Sequence, residues 1–357
     1  MKFDLNPLNH FWGTFSHDVA VDLGTKNTKI AVVGKGVMVR EPTVVASHKK
    51  TKQIFSIGSD AAKMLGRTPA SIVVTHPLRD GVIDDLDLAE SLLKHFIVKV
   101  HNSPASFPKI PRPRVAIGVP SGATEVERRA VSDAAMNAGA REVYLVEEPM
   151  AAALGVKMEI EQPSGNMIVD IGGGTTEIAV ISLGGVVVSK SLRRAGNEMD
   201  EDIIGYARTR YNLLLGETTA EAIKIEAGSA YPVGKEGKVI MRGRDLANGL
   251  PSSISISTGE VREAISNTLR NILEGIKEAI EESPPELVGD IVENGIYLTG
   301  GGGLLKGFTH LIAKETKMPV ILVDDPLSTV VKGMSKILEE PKLLTKIRFA
   351  GSLHVIA

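Results

Sequence analysis

Residues 167–185 read MIVDIGGGTTEIAVISLGG, and the organisation of the whole chain can be argued outward from them. An apolar run leads into Asp170, three glycines and two threonines, and a second apolar run follows Glu177. Two β-rich runs on either side of a glycine-rich turn predict a β-hairpin. The glycines let the turn bring several backbone N–H groups together, and such convergent groups bind phosphate. An acid at the end of the leading strand would lie beside that phosphate and hold Mg2+ through water.

The same pattern occurs earlier in the chain, where residues 19–33 read VAVDLGTKNTKIAVV. Three pairs of residues match when the two stretches are aligned: Asp22 with Asp170, Gly24 with Gly172, and Thr28 with Thr176. A single glycine-rich turn would indicate no more than a tight hairpin. Because the pattern is repeated, it predicts two related halves that face one nucleotide.

Length and composition limit the classes of protein that the chain can belong to. Its 357 residues are enough for two domains or one two-lobed body, and 43% of them are hydrophobic, which is typical of a globular protein. A net charge of −2 gives no electrostatic reason to expect nucleic acid as a partner. The absence of cysteine excludes disulfides, zinc–thiolate sites and thiol nucleophiles. With neither a signal-peptide pattern nor a membrane-spanning apolar run, we expect a cytoplasmic protein.

Two stretches carry apolar side chains that these hairpins do not explain. In residues 1–17, Leu8, Phe11, Trp12 and Phe15 recur with the spacing of one helical face. Such an aromatic amphipathic helix can lie in a membrane interface or pack on the protein's own body, and both interpretations stand at this stage. Phe107 and Ile110, in a proline-rich loop, form either an exposed contact patch or a local staple.

A third glycine loop and two helical patterns complete the prediction. Gly300–Gly303 follows an apolar strand, and we expect a helix over residues 304–315 whose N-terminus points at a nucleotide. Residues 261–280 follow a 3.6-residue period and predict one long helix. Residues 150–154 form an alanine-rich helix with Pro149 in its first turn, and its small side chains permit close packing.

Five motifs then occur in a fixed order: DLGTKNT (22–28), RVAIGVPSGATEVERRAV (114–131), LVEEPMAAALG (145–155), DIGGGTTEIAVISLGG (170–185) and GIYLTGGGGLLKG (295–307). In this order they resemble the actin-like ATPase superfamily and, within it, the MreB-type bacterial cell-shape actins. The likeness runs from about residue 18 to the C-terminal helix, so it covers nearly all of the chain. The combination of VPSGATEVERRAV with EEPMAAA is specific to the MreB type.

The resemblance implies an α/β, actin-like two-lobed fold. Each lobe would be built on a ribonuclease-H-like mixed sheet flanked by helices, with the nucleotide in the cleft between the lobes. The implied division is an N-terminal amphipathic segment at 1–17, lobe I at 18–155 with subdomain IB at about 38–82, lobe II at 156–324 with subdomain IIB at about 189–248, and a C-terminal return to lobe I at 325–357.

The resemblance also implies ATP and Mg2+ as ligands and assigns their binding residues. The first phosphate loop is Gly24, Thr25, Lys26, Asn27 and Thr28, and the second is Gly172, Gly173, Gly174 and Thr175. Glu221 and Lys224 match positions that contact the sugar and base, and Gly300, Gly301, Gly302 and Gly303 match the adenosine motif. Asp22 and Asp170 would hold Mg2+ through water. The preference for ATP over GTP rests on the resemblance alone.

Glu148 matches the position that orients the attacking water in the superfamily, with Thr175 or Thr176 helping to place that water. Phosphoanhydride hydrolysis needs a water held in line, and a carboxylate at the mouth of a helix beside the phosphate loops can polarise it. Glu147 is the adjacent alternative. Acidic residues are also favoured at any helix N-terminus, because they complement the helix dipole.

By resemblance, we expect a weak ATPase that forms actin-like double protofilaments on the inner face of the cytoplasmic membrane and directs cell-wall synthesis and rod shape. Implied partners are further copies of the chain, the cell-wall elongation machinery and membrane-spanning adaptor proteins, but no nucleic acid. Residues 1–17, Phe107 and Ile110 match membrane-anchoring positions. The alternatives are a small-molecule kinase on the same core, or a nucleotide-binding filament scaffold with negligible hydrolysis.

Overall fold

A computed structural model describes residues 16–102, 112–232, 234, 236–340, 343 and 353–356, and the structural statements that follow concern these residues. The predicted membrane residues Leu8, Phe11, Trp12, Phe15, Phe107 and Ile110 lie outside them. Among the described residues, no helix combines the length and apolar character needed to cross a bilayer. The chain divides into two compact units. The first comprises the described residues of 1–163, 182–186 and 328–357, and the second comprises those of 164–181 and 187–327.

The elements are numbered in chain order. The strands are β1 (Val19–Leu23), β2 (Asn27–Val32), β3 (Gly36–Pro42), β4 (Val45–His48), β5 (Ile54–Ile57), β6 (Ile72–Thr75), β7 (Leu78–Arg79), β8 (Val82–Ile83), β9 (Arg114–Val119), β10 (Glu142–Glu147), β11 (Asn166–Ile171), β12 (Thr176–Ser182), β13 (Gly185–Leu192), β14 (Leu213–Leu214), β15 (Lys238–Asp245), β16 (Pro251–Ser257), β17 (Ile296–Thr299), β18 (Val320–Leu322) and β19 (Leu353–Ile356). The helices are α1 (Ser59–Ala62), α2 (Leu86–His101), α3 (Glu125–Asn137), α4 (Glu148–Gly155), α5 (Gly196–Tyr211), α6 (Glu217–Ala227), α7 (Thr258–Ala264), α8 (Ser266–Glu281), α9 (Pro285–Asn294), α10 (Phe308–Thr316) and α11 (Thr329–Glu339).

The first unit is built on a mixed sheet with the strand order β19-β10-β9-β1-β2-β3. Strand β1 is antiparallel to β2 and parallel to β9, which in turn is parallel to β10. All five residues of β1 are buried, as expected of a central strand covered on both faces. Strand β19 adds antiparallel to the outer edge of β10.

The second unit repeats this arrangement in a sheet with the order β13-β12-β11-β17-β18. Strand β11 is antiparallel to β12 and parallel to β17, which is parallel to β18. Apart from β19, both sheets therefore place the first hairpin strand between its hairpin partner and two parallel strands. This topology confirms the prediction of an α/β fold with two lobes based on mixed sheets.

The two predicted hairpins also share their register. Leu23 pairs with Thr28 at the end of the β1–β2 hairpin, and Ile171 pairs with Thr176 at the end of the β11–β12 hairpin. Asp22 lies opposite Lys29, whereas Asp170 lies opposite Glu177. The sequence repeat is thus a structural repeat, and the two hairpins differ mainly in the charge across from the aspartate.

Two helix predictions are wrong in their bounds. Residues 261–280 do not form one helix, because α7 ends at Ala264 and α8 begins at Ser266. Ser and Asn follow the break, and both compete with helix interiors by bonding to nearby backbone. The helix expected over residues 304–315 begins only at Phe308, because a 3-10 turn (Gly302–Leu304) and Gly307, with φ of 73°, come first.

We expect His101 to make the stability of the first unit sensitive to acid. Its side chain is 1% exposed, with Nδ1 2.8 Å from the Ile97 carbonyl oxygen and Nε2 3.2 Å from Ser16 Oγ. Burial lowers the pKa of His101, and Lys35 lowers it further. Because the unfolded chain binds the proton more readily, stability is present above about pH 6.5 and falls below it by up to ~1.4 kcal/mol per pH unit. Urea titrations between pH 7.5 and 5.5 should show this slope reduced in His101→Gln. An unchanged slope would assign the acid sensitivity to other groups.

Candidate functional site

The loop of the first hairpin is held by one threonine, Thr43. Its hydroxyl donates to the Gly24 carbonyl at 2.7 Å, and its N–H donates to the Lys26 carbonyl at 2.9 Å. In a trans peptide the C=O and the following N–H point in opposite directions. The N–H groups of Thr25 and Asn27 therefore point away from Thr43.

The loop of the second hairpin is also held through its carbonyl groups, in this case by the first turn of α5. The N–H of Gly196 donates to the Gly172 carbonyl at 3.2 Å, and the N–H of Asn197 donates to the Gly173 carbonyl at 2.7 Å. By the same peptide geometry, the N–H groups of Gly173 and Gly174 point away from α5. In both hairpins, loop carbonyl groups are hydrogen-bonded to the rest of the unit. The N–H groups on the opposite side of the loop are suited to binding an anion.

The two threonines that match in the repeat, Thr28 and Thr176, each form a hydrogen bond that holds a neighbouring segment of the chain. Thr28 and Thr176 are both 0% exposed. Thr28 Oγ1 lies 2.9 Å from Thr43 Oγ1, and Thr176 Oγ1 donates to the Arg194 carbonyl at 2.7 Å. The Thr176 hydroxyl is thus engaged in holding the chain that leads into α5. Of the two threonines predicted to help place a water, the geometry favours Thr175.

The two aspartates at the strand ends are nearly buried, at 7% exposure for Asp22 and 9% for Asp170. Lys29 Nζ lies 2.7 Å from Asp22 Oδ2, so this carboxylate shares its charge with a lysine. No group of three or more His, Asp or Glu side chains suited to a metal occurs in the part of the chain that the structure describes. The aspartate at the strand end of each hairpin fits Mg2+, which binds proteins through one or two carboxylates, phosphate oxygens and retained waters.

The third glycine loop lies against the end of β11. Gly300 has φ of 80°, and a Cβ there would overlap Asp170 Oδ1 and the Ile171 carbonyl. A Cβ on Gly302 would overlap Ile171 Cγ2. The structure therefore brings Gly300–Gly303 and the Asp170 hairpin together within the second unit, as a shared nucleotide surface requires. The helix N-terminus that we expected beside these glycines lies further along the chain, at Phe308.

Gly300→Ala should damage this surface far more than Gly301→Ala. The first substitution forces a side chain into a left-handed conformation and against Asp170, which costs roughly 1–3 kcal/mol in backbone strain alone. A Cβ on Gly301 would meet only Leu327 Cδ2, at 3.4 Å. Binding of a fluorescent ATP analogue, measured alongside thermal unfolding, should separate the two variants. Equal effects of both would show that the close approach at Gly300 is unimportant.

Glu221 and Lys224 lie three residues apart on α6, so they share one helix face. Lys224 Nζ donates to the Gly196 carbonyl at 2.7 Å and lies 2.8 Å from Asp200 Oδ1. The lysine predicted to contact sugar and base is therefore already bonded to the first turn of α5.

The first unit distinguishes the two adjacent glutamates. Glu147 is the N-cap residue of α4, and its carboxylate accepts from Arg128 at 3.3 Å. Arg128 also donates to the carbonyls of Ala123 and Ser121, so it ties Glu147 to the start of α3. Glu148 is the first residue of α4, and its Cγ would lie 3.2 Å from a Cβ on Gly118 in β9. Glu147 is thus bonded to Arg128, whereas Glu148 lies close to Gly118 of β9.

Sequence reasoning missed the residues that hold these loops in place. These are Thr43, Gly196, Asn197, Asp200, Lys29 and Arg128. The local sequence gives little indication of these roles: a hydroxyl residue follows Pro42, and residues 196–200 read GNEMD. Lys29 bonds to Asp22 within its own hairpin, and the others act on groups distant in sequence, so no motif marks their roles.

Comparison with known proteins adds independent findings. The E. coli (strain K12) cell shape-determining protein MreB is 48% identical over 336 residues, which covers 93% of this chain and 96% of that protein. The crystal structure of MreB5 of Spiroplasma citri bound to ADP matches with a TM-score of 0.86 and 37% identity, covering 94% of this chain and 98% of that one. The structure of the same protein bound to AMPPNP matches equally well. The MamK double helical filament, at 23% identity and a TM-score of 0.76, shares the fold over 91% of this chain and 99% of that one.

Two sheet-based units that each carry a matched Asp–Gly hairpin, together with these structural likenesses, define a protein of the actin-like class. The family model for MreB/Mbl protein matches residues 16–346. The chain therefore belongs to the MreB/Mbl family, and the resemblance drawn from its motifs is confirmed.

Proposed function

We propose that the chain is an ATP-binding cytoskeletal protein that hydrolyses ATP slowly and assembles into actin-like filaments at the inner face of the cytoplasmic membrane. The observation that carries the proposal is the pair of register-matched loops, each held from its carbonyl side so that amide groups face outward. Membership of a family whose relatives are named for cell shape, and one of which is solved with ADP and with AMPPNP, supports the same reading.

In this proposal, the two loops hold the phosphates of ATP. The N–H groups of Thr25 and Asn27 belong to the first loop, and those of Gly173 and Gly174 to the second. Gly300–Gly303 and Glu221 take the nucleoside. Mg2+, when bound, supplies positive charge that offsets the charge developing on the phosphates. Asp170 and Asp22 would hold it through water, and Asp22 contributes less because it is already paired with Lys29.

Hydrolysis requires a water placed in line with the terminal phosphate. We assign the orientation of that water to the Glu148 carboxylate, with Thr175 as the hydroxyl beside it. The motif position that Glu148 matches supports it over Glu147, whose carboxylate is paired with Arg128. A base positioned in this way accelerates proton transfer by roughly 10²–10⁴-fold. In our proposal, slow hydrolysis then limits how long a filament persists.

The cellular role rests on the family. We propose that double protofilaments direct cell-wall synthesis and rod shape through the elongation machinery and membrane-spanning adaptors. Residues 1–17 and the pair Phe107 and Ile110 would bring the protein to the membrane, because apolar and aromatic side chains favour the interface. The protein would then be cytoplasmic and peripheral at the inner membrane face.

The test is sedimentation of purified protein with ATP, GTP or no nucleotide, with and without lipid vesicles, together with phosphate release. We expect nucleotide-dependent polymers that move with vesicles, and loss of vesicle binding in a chain lacking residues 1–17. Competition between ATP and GTP for the site gives the nucleotide preference. Polymers without phosphate release would favour the scaffold. An absence of polymers, with rapid ATP turnover on an added metabolite, would favour the kinase and overturn the proposal.

A further inference from the structure

Charged residues collect at one end of the first sheet, away from the loop of the first hairpin. Val19 of β1 pairs with Val32 of β2 and Val115 of β9, and Val115 pairs with Val143 of β10. Since neighbouring strands lie about 5 Å apart, the row from β10 to β3 is about 20 Å long. Just beyond it lie the residues that we call the basic end, namely Asp18, Lys35, Arg112, Arg114, Arg141 and Glu142.

Hydrogen bonds fix the inner part of the basic end. Asp18 Oδ2 accepts from Arg114 Nε at 2.9 Å, and Asp18 Oδ1 accepts from Arg141 at 3.3 Å. Arg141 also donates to the Arg112 carbonyl at 3.0 Å. Two guanidinium groups thus share one carboxylate, and the positive charge on this side is not fully balanced.

The cations that reach solvent at the basic end are Lys35 and Arg112. Both are exposed, whereas the other four members are partly buried. Lys35 Nζ lies 3.1 Å from His17 Nε2, and the Arg112 N–H donates to Ser16 Oγ at 3.0 Å. The six members comprise four cations and two carboxylates, so the basic end has a net positive charge.

Two segments with apolar side chains join the described chain at the basic end. Residues 1–15 join it at Ser16, and residues 103–111 join it at Arg112. Ser16 Oγ lies 3.2 Å from Nε2 of His101, which ends α2 just before the second segment. The described residues that flank the two segments are therefore neighbours in space.

The first of these segments has little charge of its own. Its ionised side chains at neutral pH are Lys2 and Asp4, which cancel. Amphipathic segments that lie in a membrane interface usually carry lysine and arginine on their polar face, and these attract anionic lipid. The charge that residues 1–15 lack is present on the folded unit, beside the point where they join it.

We propose that the basic end binds the headgroups of anionic phospholipids through Lys35 and Arg112. The inference rests on the membrane association in the proposed function, and it adds a dependence on lipid charge that is set by the folded unit. The planar guanidinium of Arg112 matches two phosphate oxygens, and the ammonium of Lys35 acts as a compact charge beside it. Apolar contacts then supply binding to any bilayer, and the basic end supplies the preference for anionic ones.

The experiment measures binding of the full chain to vesicles of phosphatidylcholine alone and of phosphatidylcholine mixed with phosphatidylglycerol. Lys35→Gln and Arg112→Gln should each raise the lipid concentration for half-maximal binding to the mixed vesicles about fivefold, and the double variant about 25-fold. Binding to phosphatidylcholine alone should stay unchanged. Removal of residues 1–15 should instead weaken binding to both kinds of vesicle.

The matched control removes one lysine and one arginine from the second unit. Lys238 and Arg242 are exposed on β15, and Lys238→Gln combined with Arg242→Gln changes the net charge by the same amount. This variant should bind mixed vesicles like the parent. Urea midpoints and polymer mass without lipid, measured for every variant, separate a loss of headgroup contact from a loss of folding or assembly.

Each remaining outcome contradicts the proposal in a different way. If the parent binds both kinds of vesicle equally well, or if the Lys35 and Arg112 double variant keeps the preference for mixed vesicles, the basic end does not bind headgroups. If the control variant loses as much binding, net charge and not this end of the sheet is responsible. If the parent binds neither kind of vesicle, the proposed membrane association itself is wrong.

Discussion

Glu148→Ala should reduce phosphate release at least about 100-fold while leaving ATP binding nearly intact. Glu148 is the first residue of α4 and matches the superfamily position that orients the attacking water, whereas the loops that would hold the phosphates are built from other residues. Single-turnover phosphate release, with Kd for AMPPNP measured in parallel, separates the loss of chemistry from the loss of binding.

The adjacent glutamate provides the control. In Glu147→Gln the partner of Arg128 loses its charge, so unfolding should become easier while phosphate release per folded molecule stays close to that of the parent. If Glu147→Gln abolished release and Glu148→Ala did not, the assignment of the two glutamates would have to be reversed. Filaments of Glu148→Ala should also persist longer, because hydrolysis would no longer limit their lifetime.

Gly333→Ala should destabilise the first unit by about 3 kcal/mol or more, at the upper end of the usual cost of overpacking. Helices α4 and α11 cross with their backbones in direct contact. A Cβ on Gly333 would overlap the Ala151 carbonyl, and a Cβ on Gly155 would overlap the Thr329 carbonyl. Neither obstacle is a flexible side chain, so one helix must move.

The matched control for this prediction is Gly205→Ala on α5, where a Cβ would meet nothing within 4 Å. In an exposed helix interior that change should stabilise by roughly 0.5–1 kcal/mol. Urea denaturation followed by circular dichroism should show opposite shifts in midpoint for the two variants. A Gly333→Ala variant as stable as the parent would mean that α11 can slide along α4 at little cost.

Because α4 begins with Glu148, a shift of that helix also matters for chemistry. Small residues predicted close packing for residues 150–154, and the structure gives that packing a partner in α11. We therefore expect Gly333→Ala to lower phosphate release in whatever fraction of the protein remains folded.

Much of the organisation of the chain followed from local patterns. The spacing of Asp, Gly and Thr predicted both hairpins, and their shared register confirmed the repeat. Thr124 and Glu127 form a capping box at the start of α3. Subdomain boundaries and nucleotide contacts stay predictions. The single helix over residues 261–280 was wrong because periodicity records which residues face the core and not where the backbone breaks.

The sequence by itself determined the two Asp–Gly hairpins, because each depends on residues within a few positions of one another. It also determined the family and the mixed-sheet α/β class, through the order of its motifs along the chain. Only the tertiary structure decided that Glu147 pairs with Arg128 and which residues hold the loops. Thr43 reaches Gly24, and Lys224 reaches Gly196 and Asp200, across 19 to 28 positions of chain. Hydrogen bonds and ion pairs act through space over about 3 Å, so their partners are known only once folding has brought distant residues together.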